Sequence, residues 1–77
     1  KVALYPNPSN GFFHVQCETG IQTLRMVNVL GQEELYLENL GKEIQEIKLD
    51  GEEFNGIYYL YIKDEQGQEI VQRLSIL

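Results

Sequence analysis
Short runs in which apolar and polar residues alternate, each closed by a glycine, a proline or an acidic turn, extend along the whole chain. Residues 2–5 form the first extended run, stopped by Pro6. Between 12 and 17 the alternation is regular, with Phe13, Val15 and Cys17 on one face and His14 and Gln16 on the other. That is the period of a half-buried strand. Glu18-Thr19-Gly20 reads as a hairpin turn, and a third run over 21–29 places Leu24 and Met26 together, opposite Thr23, Arg25 and Val27. Gly31 breaks this run, a short strand follows at 34–37, and Asn39-Leu40-Gly41-Lys42 is a loop.

The run at 44–49 is weaker, because Ile47 and Leu49 alternate while Ile44 falls out of phase, as a bulge would produce. Its Glu, Gln and Lys content and the Ile44, Ile47 spacing suit a helix as well. So short a segment between glycines is not stable as an isolated helix, however, and it is assigned as strand. Asp50-Gly51-Glu52-Glu53 and Phe54-Asn55-Gly56 are turns. The run 57–63 sets Tyr58, Leu60 and Ile62 on one side and Ile57, Tyr59 and Tyr61 on the other, apolar on both faces and therefore central in a sheet. Asp64-Glu65-Gln66-Gly67 is a hairpin loop, and 69–77 closes the chain with Leu74 and Ile76 inward. About seven short strands with turn signals every eight to twelve residues predict an all-β fold, a small antiparallel Ig-like β-sandwich. No internal repeat stands out.

At 77 residues the chain is one domain with a thin core, since a chain of this size buries only about 60% of its unfolded surface. A hydrophobic fraction of 43% with 23% charged residues excludes a disordered segment. The net charge of −6 argues against nucleic acid, which needs clustered Lys and Arg, and against an anionic membrane surface. No apolar run is long enough for membrane insertion. The one cysteine, Cys17, excludes an internal disulfide and a thiolate metal cage.

Candidate chemistry is sparse. His14 is the sole histidine and sits on a polar face without a sequence-evident partner, so no catalytic residue is assigned. Asp50, Glu52 and Glu53 lack the alternating ligand spacing of a calcium loop, so no metal or cofactor is assigned either. Tyr59 and Tyr61, side by side on one face, suggest a sugar-stacking platform, as in a carbohydrate-binding or adhesion module. Packing against a second sheet or against strand neighbours is the simpler account of them and the one favoured.

The corners carry more information. Tyr5-Pro6-Asn7-Pro8-Ser9-Asn10-Gly11 combines two rings that fix φ, two pre-proline residues held extended and a turn-forming triplet. This opening box resembles the start of the type IX secretion (Por secretion) C-terminal sorting domains of Bacteroidetes. Three further boxes match the same family in order and spacing: Val27-Asn28-Val29-Leu30-Gly31-Gln32, Phe54-Asn55-Gly56-Ile57-Tyr58-Tyr59-Leu60 and Gln72-Arg73-Leu74-Ser75-Ile76. Asn28 stands where the family often has Asp, and Arg73 where it often has Lys.

The resemblance implies a non-catalytic address at the end of a secreted protein, spanning 1–77 and excised here from a larger parent. Its partners would be the outer-membrane translocon, a sortase that removes the domain, and the cargo N-terminal to it. Its destination would be the cell surface or medium, by way of the periplasm. The residues expected to carry the signal, as fold determinants or as contacts, are Tyr5, Pro6, Asn7, Pro8, Gly11, Asn28, Gly31, Gly56, Tyr58 and Arg73. The last strand, with Arg73, is the expected place for strand addition to a receptor sheet, and an unpaired edge is also a route to weak self-association. An Ig-like spacer within a surface protein is the remaining alternative.

Overall fold
The computed structural model describes residues 1–77 as six strands: β1 (Val2–Tyr5), β2 (Phe12–Asn28), β3 (Glu33–Leu37), β4 (Lys42–Lys48), β5 (Gly56–Asp64) and β6 (Glu69–Ile76). All pairings between these strands are antiparallel. The first half of β2 lies between β1 and β4, and its second half between β3 and β5, with β6 outside β5. The sheet therefore curls into two layers that share one strand. Both layers contribute to a single core of 13 residues, among them Phe13, Val15 and Cys17 from one half of β2 and Leu24 and Met26 from the other. The Cα extents of 34 × 23 × 18 Å suit two sheets stacked about 10 Å apart.

The expected hairpin at Glu18-Thr19-Gly20 does not form. The two arms do not pair with each other; the chain folds over into a second layer there, and β2 runs through it for 17 residues, which is why there are six strands rather than about seven. Gly20 does take a positive φ of 85°, as a turn glycine would, but the turn serves a change of layer. Residues 17–20 of β2 stand opposite Glu43 alone, between the pairs Gln16↔Ile44 and Ile21↔Lys42. A second irregularity between Ile21 and Thr23 shifts the inward phase from odd to even positions. Bulges are the usual means by which a strand passes from one sheet to another. The out-of-phase Ile44 reflects the same geometry: the extra residues are on β2, β4 pairs evenly from Ile44 to Lys48, and Ile44 faces outward.

The corner is tied from both sides. The N–H of Glu65 donates to the Gly20 carbonyl at 3.0 Å, and the N–H of Gly41 donates to the Ile21 carbonyl at 2.8 Å. A Cβ on Gly20 would lie 2.8 Å from Glu65 Cγ, so a larger residue would push the exposed Glu65 side chain aside as well as strain the positive φ.

β5 lies between β2 and β6 and is the central strand the sequence predicts. Its inward side chains Tyr58, Leu60 and Ile62 are all buried. Tyr58 is held by its ring, which packs against Phe54 at 6.2 Å between centroids, and its hydroxyl makes no hydrogen bond within the chain. The Tyr58→Ala variant is expected to lose about 3–5 kcal/mol, a large share of the ~5–15 kcal/mol by which such domains are stable. A thermal melt checks this; a shift of only a degree or two would mean that the ring contributes little.

Candidate recognition site
Residues 6–11 join β1 to β2, yet their polar groups are spent largely on β6. The Asn7 side chain acts as a short piece of strand: its Nδ2–H donates to the Arg73 carbonyl at 2.8 Å, and its Oδ1 accepts the Ser75 N–H at 3.1 Å. Ser9 continues the pairing through its backbone. Its N–H donates to the Ser75 carbonyl at 2.8 Å, its carbonyl accepts the Leu77 N–H at 2.9 Å, and the bridge to Ile76 is parallel. Both Tyr5-Pro6 and Asn7-Pro8 bonds are cis. The Ser9 hydroxyl, nearly buried, accepts the Gly11 N–H and donates to the Phe12 carbonyl, which aims the chain into β2. The first and fourth motif boxes thus form one clasp across 66 to 68 residues of sequence.

The clasp covers part of the edge of the last strand, where strand addition is expected. Along β6 the odd positions turn their backbone groups outward, as the contacts of Arg73, Ser75 and Leu77 establish. From the Arg73 carbonyl onward that edge is covered by Asn7 and Ser9. The N–H of Val71 and of Arg73 and the carbonyls of Glu69 and Val71 remain on its outer side.

The other two boxes reach the same end of the sandwich. Asn28 pairs with Tyr58, Tyr58 with Leu74, and Gly56 with Ile76, while Leu49, the residue after β4, donates its N–H to the Gly11 carbonyl at 2.8 Å. Pro6 to Gly11, the turn at Asn28–Gly31, the entry to β5 at Gly56 and Tyr58, and the end of β6 therefore converge. The bend in β2 and the Asp64 turn occupy the opposite end. Tyr5 is set apart on the outer face of the β1 layer, stacked on His14 at 5.2 Å. His14 Nε2 lies 3.3 Å from Glu46, and Phe12 packs edge-on to the same imidazole.

Asn28 and Asp64 build the same turn, a repeat that escapes a reading for long periodic segments. In Asn28-Val29-Leu30-Gly31-Gln32 the side-chain Oδ1 accepts the N–H of Leu30 and of Gln32, the Gly31 N–H donates to the Asn28 carbonyl, and the Asn28 N–H donates to the Gln32 carbonyl. In Asp64-Glu65-Gln66-Gly67-Gln68 all four bonds recur between the equivalent atoms, and Gly31 and Gly67 share φ values of 83° and 84°. The choice of Asn or Asp follows from the remaining side-chain atom. At Asn28 it is an amide that donates to Gln32 and to the Glu34 carboxylate, where a second carboxylate would be repelled. At Asp64 it is an oxygen that accepts the Thr19 hydroxyl at 2.7 Å. Asp64, missing from the expected site residues, was detectable through this shared spacing.

No other chemistry assembles. No three His, Cys, Asp or Glu side chains gather to hold a metal, and the one hollow, about 150 Å³, is an open surface feature beside Lys1, Ala3, Gln16 and Glu18. Of the two tyrosines on the outer face of β5, Tyr61 is capped by the Arg25 guanidinium 4.4 Å from its centroid, leaving Tyr59 without a partner for sugar stacking.

Residues 3–77 match the family model of the secretion system C-terminal sorting domain, essentially the whole chain. The chain belongs to that family. No curated protein is similar enough to the chain to count as a relative. Sorting domains of this family are the signals of type IX secretion, so the domain directs a protein N-terminal to it through the outer membrane to the surface or medium. The sorting domain is all-β, and its motif residues are distributed over a clasp, a turn and a strand entry at one end of the fold.

Two measurements test the bonds that shape the sorting domain. Asn7→Ala removes both contacts to β6 and is expected to cost about 1–2 kcal/mol. Asn7→Asp keeps the acceptor for Ser75 but sets a carboxylate against the Arg73 carbonyl, so denaturant melts should rank it at or below Asn7→Ala at pH 7 and recover it at pH 3. At the other end, the Thr19 hydroxyl holds the Asp64 carboxyl below its ordinary range against the opposing effect of burial, with the N–H groups of Gln68 and Gln66 adding to it. A lowered folded value means that this stabilisation is complete above the unfolded value of about 4 and is lost as pH falls through the lowered one. Thr19→Val should therefore destabilise at neutral pH, raise the Asp64 pKa in a carboxyl titration followed by NMR, and lose its disadvantage in strong acid. An Asp64 titration unchanged by Thr19→Val would refute the assignment.

Proposed function
We propose that the type IX machinery reads the sorting domain as a folded shape, organised from the end where the four motif boxes meet, and takes hold of it along the uncovered part of β6, which runs from there towards the Asp64 turn. The observation that supports this reading is the clasp. Asn7 and Ser9 use up the β6 edge beyond the Arg73 carbonyl and leave a short run of outward donors and acceptors before it. Such a run is what an added strand needs, with Arg73 beside it as a charged side chain that a receptor can select. On this reading Tyr5, Pro6, Asn7, Pro8, Gly11, Asn28, Gly31, Gly56 and Tyr58 act mainly by holding the shape, and Arg73 is the direct contact. The domain is non-catalytic, forms one unit over 1–77 of a larger secreted parent, and is removed by a sortase after transport. The same open edge is the route by which isolated copies would pair weakly.

The test is a periplasmic reporter carrying residues 1–77 at its C-terminus in a type IX-competent bacterium. The reporter is expected at the surface or in the medium; retention in the periplasm with the domain intact refutes the signal. Val71→Pro then tests the edge. It deletes an outward N–H that no bond to β5 uses, a position where an edge strand tolerates proline. Export should fall at least tenfold while the domain stays folded, and export at the wild-type level would remove the β6 edge as the docking element.

A further inference from the structure
The apex of the Asn28 turn carries two adjacent aliphatic side chains in open solvent: Val29 is 67% and Leu30 79% exposed. A single exposed Leu needs no explanation, but this pair has an internal control. The Asp64 turn has the same four hydrogen bonds and the same glycine conformation, and its apex residues are Glu65 and Gln66. The turn itself therefore imposes no apolar apex. Nor does the core, since neither Val29 nor Leu30 packs against it. The remaining explanation is contact with another molecule.

We infer that Val29 and Leu30 are a preformed knob that inserts into an apolar pocket on a protein of the secretion machinery. The inference rests on the recognition reading above and names a second contact that reading does not contain. Three observations favour a protein pocket over a bilayer. The knob has a backbone fixed through Asn28 and Gly31, so it enters a shaped cavity with little backbone ordering cost. Glu33 and Glu34 follow the turn after Gly31 and Gln32, and the chain charge is −6, which repels anionic lipid. It also lies at the end where the motif boxes converge, in a turn that begins three residues along β2 from Arg25, which is two strands across from Val71 of β6 through the pairs Arg25↔Tyr61 and Tyr61↔Val71, so one receptor surface can span both contacts.

The experiment transplants the polar apex onto the apolar turn. V29E/L30Q, which copies the residues of the Asp64 turn, is expected to keep the melting temperature within about 2 °C and to lower reporter export at least tenfold, while V29I/L30M exports normally. Should V29E/L30Q fail to fold, the single variant Leu30→Gln decides, with the same expected loss. Wild-type export with an undiminished folded variant overturns the knob and leaves the sorting function intact. Absence of wild-type export refutes the sorting reading and this inference with it. Binding of the wild-type domain, but not of V29E/L30Q, to phosphatidylcholine vesicles would reassign the knob to lipid. A dimer in sedimentation that V29E/L30Q dissolves would reassign it to self-association. Either result overturns the pocket.

Discussion
The fold depends on a strand changing layers at Thr19 and Gly20. A straight β2 would make an open sheet with both faces wet, and Phe13 and Leu24, now in one core, would belong to separate surfaces. Three contacts hold the bend: the Thr19 hydroxyl on Asp64, the Glu65 N–H on the Gly20 carbonyl and the Gly41 N–H on the Ile21 carbonyl. Two of these come from the β5–β6 turn and one from the β3–β4 connection, so each later hairpin is pinned to the corner as it folds back. Asp64 is only 2% exposed and keeps its charge because every bond it receives favours the ionised form. A buried carboxylate in so small a domain is tolerated because it is fully satisfied, and it tolerates little change around it.

Fixing the bend at one end determines what gathers at the other. Once β2 folds over, its start and its finish face the same direction, and the entry to β5 and the exit of β6 join them. The motif boxes that lie tens of residues apart in sequence thereby become neighbours. On the proposed reading, a signal built this way is legible only in the folded state, and the requirements of folding and of recognition fall on the same residues. Asn7 illustrates the overlap: its amide completes the β6 edge, and in doing so it sets how much of that edge a receptor can still reach.

The strand runs and the core were legible from alternation alone: Phe13, Val15, Cys17, Leu24, Met26, Tyr58, Leu60, Ile62, Leu74 and Ile76 all face inward as their positions predict. The bend was not. Glu18-Thr19-Gly20 satisfies a hairpin and a layer change equally, since both need a small residue at positive φ, and only the partner strands distinguish them. The clasp was legible in part. The prolines and Ser9-Asn10-Gly11 announce a corner, but a contact from Asn7 to Arg73 and Ser75 depends on where β6 lies, and local chemistry does not contain that. The repeated turn lies between these cases: its five-residue spacing is present in the sequence, and its meaning needs the hydrogen bonds.

If β6 is the docking edge, as proposed, its partial cover also resolves a tension in using an edge strand as an address. An exposed edge pairs with any other edge, and small β proteins ordinarily block theirs with charge, proline or a covering loop. Here the opening box covers one part of the strand, and Glu69 and Arg73 flank what is left. The open stretch is too short to template a long ladder, which restrains pairing between copies, yet long enough to align a partner that also has a second point of attachment. A receptor that binds both the open stretch and a rigid feature two strands away gains specificity from the fixed distance between them, because an unrelated edge offers only the first.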